Sequence, residues 1–317
     1  MSRLRVFILL LVLAAIGAGF YLVPRKRPFE SYTVRASDAL QNKDFEQSIE
    51  LYLKALRLYP DHARVPEILL IIGDIYNFSL ANSEKAAKAY DMLTTRFSKT
   101  EQARLAFEHA AEMHEKNEAF EKALLAYQGL IDNFPDSEDL DGFRFKVAMM
   151  AAKLKKFEPA RRSLMAIIDQ NPDTPIADQV LFQIGNLFFM EGAAKQAVQV
   201  LEVAAEKYPD SPLQTEMLFT AANAHEEQGQ IDKALKIYRQ IRYTYPNPRV
   251  IEKKLDKLAD RQKEVKAMEA RSRQGMRMAG PLPPGAESKP SPKSGVRGRK
   301  KTQEVDKSLL ELMEGEP

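Results

Sequence analysis

Histidines and carboxylates are the side chains of this sequence best suited to proton transfer or metal binding, so their spacing is the first question. The four histidines are His62, His109, His114 and His225. His109 and His114 stand five apart, which does not bring two rings to one helix face as a His-x3-His pair of zinc ligands requires. The adjacent Glu138 and Asp139 sit before a predicted helix start, where negative charge favours the helix dipole without any catalytic role. There is no cysteine, which excludes disulfides, thiol catalysis and zinc-thiolate sites. No glycine-rich phosphate loop and no Gly-x-Ser-x-Gly elbow is present. The sequence therefore recommends no catalytic residue, no cofactor and no metal site, and the chain is expected not to be an enzyme.

The elements that must position these residues follow one period. Pro60, Pro135, Pro172, Pro209 and Pro246 share a register with Ser98, at spacings of 38, 37, 37, 37 and 37. A fixed period in this range marks stacked supersecondary units. Twelve residues before each register point stand Ser48, Ala86, Ala123, Ala160, Ala197 and Ala234, all small. Eight before come Tyr52, Tyr90, Tyr127, Leu164, Leu201 and Tyr238, and five before come Ala55, Leu93, Leu130, Ile167, Ala204 and Ile241. Offsets of four and three put these positions on one face of a helix that ends at the proline turn. A further small column, Ala36, Ala111, Ala148, Gly185 and Ala222, lies 24 back, with Gly73 one place out of register. Small residues are needed where two helix backbones cross closely, so each unit reads as two antiparallel helices. In this reading Gly185, Ala197, Pro209, Ala234 and Pro246 are repeat-packing positions, and the column tyrosines belong to the core.

With Leu181, Ile184, Gly185, Phe188, Ala197, Leu201, Ala204 and Pro209 in the fifth unit, the chain resembles the tetratricopeptide repeat family over residues 30 to 248. It departs from the family pattern at His114 and His225, where an aromatic is usual, and in its period of 37 rather than 34. The longer period with a "YPDS" turn is similar to repeats of bacterial envelope proteins. The resemblance implies an all-α, right-handed superhelical solenoid of about six helix pairs that binds a protein or peptide along first helices. On helix phase, Gln183 and Asn186 of the fifth unit and Asn223 of the sixth are the groove candidates.

Composition agrees with a solenoid, since a chain of 317 residues that is 44% hydrophobic can bury a core in slices between neighbours. The net charge of +3 conceals an uneven distribution. Residues 1–27 carry five Arg or Lys and no acid, residues 271–303 carry nine against Glu287, and residues 28–270 are net acidic.

Residues 6–23, "VFILLLVLAAIGAGFYLV", are 18 uncharged residues closed by Pro24. As a helix they measure about 27 Å, near the lower limit for a bilayer span. A cleaved secretory signal and an uncleaved anchor compete for this segment. The run continues through Phe20, Tyr21, Leu22 and Val23, which favours an anchor with an aromatic rim. Arg3 and Arg5 precede the run and Arg25, Lys26 and Arg27 follow it, so the flanking charges leave the orientation open. The envelope resemblance alone implies a bacterial inner-membrane, single-pass protein with its repeats in the periplasm.

The expected organisation is an anchor at 1–27, a repeat solenoid at 28–248, a capping helix at 249–274, a Pro-rich basic tail at 275–303 and a short acidic segment at 304–317. The tail, with "RGRKK" at 297–301, reads as a solvated linker or as a contact for anionic lipid headgroups. Nucleic acid is the least favoured partner, because the tail has no aromatic for base stacking. In "EVDKSLLELMEGEP", Val305, Leu309, Leu312 and Met313 fall at helical spacing among acids, the pattern of a helix that docks in a groove, although an unstructured end is the alternative. The function expected is a membrane-tethered scaffold for proteins or peptides. The alternative is a structural assembly factor acting through oligomer contacts.

Overall fold

A computed structural model describes residues 28–278, with side chains to Arg271. The expected anchor, basic tail and acidic segment lie outside the described residues. Among those described there are thirteen α-helices, one π-helical turn and no strand, and no helix is long and apolar enough to cross a membrane. The chain divides into two compact units at Glu118 and Ala119, inside the third helix pair of the sequence reading. The first unit holds α1 (Phe29–Gln41), α2 (Phe45–Leu58), α3 (Val65–Asp74) with its π turn (Ile75–Ser79), α4 (Ser83–Arg96) and α5 (Glu101–Lys116). The second holds α6 (Phe120–Asn133), α7 (Leu140–Lys153), α8 (Phe157–Gln170), α9 (Ala177–Met190), α10 (Ala194–Lys207), α11 (Gln214–Glu227), α12 (Ile231–Ile241) and α13 (Pro248–Met278).

The proline register sets where second helices stop. Tyr59, Phe97, Phe134, Asn171 and Tyr208 each cap the helix before them, donating their amides to the carbonyls of Ala55, Leu93, Leu130, Ile167 and Ala204. After Tyr59, Phe134, Asn171 and Tyr208 comes a proline, which has no amide to extend the ladder and pushes its predecessor off helical geometry, while Phe97 caps in the same way before Ser98. Two residues beyond that position, His62, Thr100, Ser137, Thr174 and Ser211 donate back to the capping residue's carbonyl and close a turn. The sixth copy differs because Pro248 stands where that donor would be, and α13 starts there at once. Pro209 and Pro246 are themselves exposed, so their part is to terminate helices and not to pack.

Each first helix of the second unit crosses its second helix at a small residue. Gly185, Ala197 and Ala234 are buried, and a Cβ added at Gly185 would lie 2.4 Å from Leu201 Cγ. In the first unit a Cβ at Gly73 would lie 2.4 Å from Tyr90 Cε1, and Ser48 Oγ donates to the Ala36 carbonyl at 2.8 Å. All the −12, −8 and −5 positions are buried.

The 38-residue spacing has a local cause. From the small residue to the register point is 25 residues in the second pair and 24 in the others, and the π turn at Ile75–Ser79 takes up the extra one. There the Leu80 amide donates five residues back to the Ile75 carbonyl, widening the helix by one residue in a single turn.

Between the two helices of every pair one residue is left-handed: Lys43, Ala81, Glu118, Lys155, Gly192 and Gly229, with φ between 49° and 77°. After Lys43, Lys155, Gly192 and Gly229 the next amide donates five residues back at 2.9 Å, the bond of a Schellman cap. A side chain disfavours this conformation by roughly 1 kcal/mol. Lys155→Gly is expected to raise the stability of residues 119–278 by about 1 kcal/mol, and Gly192→Ala to lower it by about as much. Nothing lies within 4 Å of a Cβ at Gly192, so that loss would be conformational only. Midpoints of urea unfolding for the two variants should move in opposite directions.

α13 packs through Ile251, Leu255 and Leu258, while Val265 and Met268 are exposed. Its first half covers the end of the repeat core, as a terminal cap must, and its second half is largely polar apart from those two residues.

Candidate functional site

The sequence candidates of the second unit lie on first helices, Gln183 and Asn186 on α9 and Asn223 on α11, and all three are half-buried. Asn223 lines a pocket. Its walls are Phe189 from α9, Asn223, Glu226 and Glu227 from α11, and Lys254 and Arg261 from α13, around about 450 Å³. Asn223 Oδ1 accepts a bond of 2.8 Å from the Tyr238 hydroxyl on α12, which fixes the amide plane. Burial pushes the Tyr238 hydroxyl well up, with the nearby Glu226 carboxylate adding to it, so the ring stays neutral and donates.

Glu226 is where the cap meets the repeat. Lys254 Nζ lies 2.8 Å and Lys257 Nζ 3.6 Å from its carboxylate. Burial alone would raise its pKa, but the Lys254 and Lys257 ammonium groups outweigh that and hold it below the usual range. The pocket therefore presents an apolar wall at Phe189, an amide at Asn223 and charges of both signs, a lining suited to a polar peptide backbone with one apolar side chain. Sequence reasoning missed Glu226, Lys254 and Arg261, since nothing in a repeat register tells which residue of the cap lies over which of α11.

The first unit holds a second polar cluster. Asp74 Oδ1 accepts from the Tyr90 hydroxyl at 2.8 Å and lies 2.8 Å from His109 Nδ1. Phe78 and Tyr90 meet the imidazole edge-on at 5.3 and 6.1 Å. The bond to Asp74 raises the His109 pKa above its ordinary value, burial opposes it, and Glu112 and Glu108 add to the rise. A raised folded pKa contributes stability that is complete below the unfolded value of about 6.5 and is lost as pH rises through the folded value. Accordingly, the melting temperature of the wild type should exceed that of His109→Gln by more at pH 5.5 than at pH 9. An equal gap at both would remove the charged pair.

His225 is not only a packing substitute for an aromatic. It is 1% exposed, with Nδ1 2.8 Å from Gln230 Oε1 and Nε2 2.9 Å from Glu202 Oε1, so each ring nitrogen faces a polar side-chain oxygen. Among the described residues no group of three histidines and carboxylates is placed to hold a metal ion.

Comparison with known proteins follows the same repeats. Three family models, each described as a tetratricopeptide repeat, match residues 29–62, 78–138 and 188–254, together about half of the chain. No curated protein sequence matches it. Among solved structures, a tetratricopeptide repeat protein from Parabacteroides merdae is similar at 17% identity, with a TM-score of 0.48 over 90% of this chain and 99% of that one. YrrB, described as a TPR protein with an unusual peptide-binding site, is similar at 16% identity and a TM-score of 0.46, over 63% of this chain and 95% of its own. Pseudomonas aeruginosa pilF is similar at 13% identity and a TM-score of 0.43, over 74% of this chain and 97% of its own.

Proposed function

The chain belongs to the tetratricopeptide repeat family, and on that premise we propose that it is a non-catalytic scaffold, tethered to a membrane, that binds a protein or peptide partner. Repeats of this kind bind partners because stacked pairs leave a preformed surface, which spares the partner-binding face any cost of ordering. The observation that carries the reading is the pocket that Phe189, Asn223 and Glu226 of first helices form with Lys254 of α13. Gln183 and Asn186, on the adjoining helix, extend the same contact surface in this reading. A photo-crosslinking residue at Asn186 or Asn223 is expected to capture a partner that the same residue at Leu125, exposed on second helix α6, does not. Equal capture from all three would sink the assignment.

The tether in this reading is the apolar run 6–23, whose length suits a single-pass anchor, and the bacterial inner membrane with the repeats in the periplasm rests on the envelope-repeat resemblance alone. A membrane-held scaffold raises the local concentration of whatever it binds. The basic tail would then lie near anionic lipid, where each Lys or Arg contributes roughly 1 kcal/mol. Sidedness is tested with Ser288→Cys in this cysteine-free chain, labelled in intact cells by a membrane-impermeant maleimide, with the intact mass measured alongside. Labelling of uncleaved protein supports the reading, while protection until lysis places the repeats in the cytoplasm and a shortened mass removes the anchor. The second reading, an assembly factor working through oligomer contacts, is favoured by one observation: Val265 and Met268 are 40% and 67% exposed on α13.

A further inference from the structure

The second-helix side of residues 28–118 carries a groove that the first-helix reading does not use. It runs between α2 and α4 over α3 and measures about 420 Å³. Leu69, Ile72 and Ala89 form a buried floor, and Leu53 and Met92 stand at its edges, 43% and 50% exposed. Its rim is made by Arg57, Lys85, Lys88 and Arg96, all exposed; Lys88 is paired with Glu84 of its own helix at 2.5 Å, and no carboxylate is among the lining residues. Scattered exposed apolar side chains need no explanation, but a contiguous apolar trough rimmed by charges of one sign marks a binding surface.

We propose that this groove is the docking site of the acidic segment 304–317 of this chain, bound as a short amphipathic helix. The segment has the complementary chemistry. Its apolar residues Val305, Leu309, Leu312 and Met313 recur at helical spacing, and Glu304, Asp306, Glu311, Glu314 and Glu316 outnumber its single Lys307. Fourteen residues make about 21 Å of helix, and so short a helix is not stable in water unless it packs on something. Binding and folding are then one event, which gives moderate affinity and easy displacement. Charge supplies selectivity for an acidic strand of sequence, and the apolar floor supplies the burial. The inference stands on α2, α3 and α4 alone and survives if the Asn223 pocket proves empty of partners.

The test uses the full chain with its own segment disabled by Leu309→Asp and Leu312→Asp, titrated into a fluorescent peptide of residues 304–317 and followed by anisotropy. Saturable micromolar binding is expected, weakened about tenfold by adding Arg57→Glu and Arg96→Glu, both exposed positions whose variants should melt like the parent. Binding should also fall as salt is raised, because the rim pairs are exposed. The unaltered chain should bind the peptide several-fold more weakly than the disabled one, since its own segment competes. Competition independent of protein concentration assigns the segment to the same molecule, and competition that grows with concentration assigns it to a second copy. No saturable binding, or binding indifferent to both the charge reversals and Leu53→Asp, overturns the proposal.

Discussion

Replacing Tyr90 by alanine is expected to destabilise residues 28–118 by about 3–5 kcal/mol, the cost of emptying a fully buried aromatic site. The ring fills the notch that Gly73 leaves in α3, so no neighbour can collapse into the space without moving a helix. Tyr90→Phe separates the ring from its hydroxyl. It keeps the packing and loses one bond to Asp74, which should cost about 1 kcal/mol. Because His109 still reaches Asp74, the pH dependence attributed to that pair should persist in Tyr90→Phe and vanish in His109→Gln. Urea unfolding of the three variants at pH 5.5 and 9 checks both parts. A Tyr90→Phe loss as large as that of Tyr90→Ala would mean that the hydroxyl, and not the ring, holds the pair together.

In the second unit, Leu201→Ala is expected to cost about 2–5 kcal/mol, since Leu201 is fully buried against α9. The informative variant adds Gly185→Ala. Alone, that change should destabilise by about 1–3 kcal/mol, because the new methyl would come within 2.4 Å of Leu201 Cγ and overpack the crossing. Helix propensity, worth roughly 1 kcal/mol in favour of alanine, is the smaller effect. Once Leu201 is shortened the methyl fills space instead of contesting it, so the double variant should be more stable than Leu201→Ala. A coupling of at least about 1 kcal/mol in the double-mutant cycle is expected. Strict additivity would show that the two residues do not share the crossing.

These two pairs also mark what the sequence discloses. The notch and its filler are readable because the small column and the large column recur at fixed distances from the turn, and burial follows the register at every copy. The helix stops are readable because proline acts locally on its own backbone. The left-handed residue of four pairs is not, since Lys43, Ala81, Glu118 and Lys155 carry no glycine signal and only their positive φ reveals them. Asp74 and His109 are 35 residues apart on different pairs, and that bond depends on lateral packing that a period does not encode. Of the three groove candidates, helix phase found Asn223 in a pocket, but the charges around it come from the cap. The basic-rimmed groove is not legible for a different reason: Leu53 and Met92 sit on second helices, outside the first-helix face that the repeat resemblance points to. One irregularity did point to structure, because Gly73 falling a place early is the sign of the π turn.

That turn bears on how such an array can change length. An added residue in a helix would ordinarily rotate everything after it by about 100° and bring polar positions into the core. Here the added residue is taken up between Ile75 and Ser79, and by Ala86 the following columns are back in their usual burial. One extra residue is thus accommodated within one turn as a local bulge. Repeats of unequal length can accumulate along one gene while every later crossing keeps its fit.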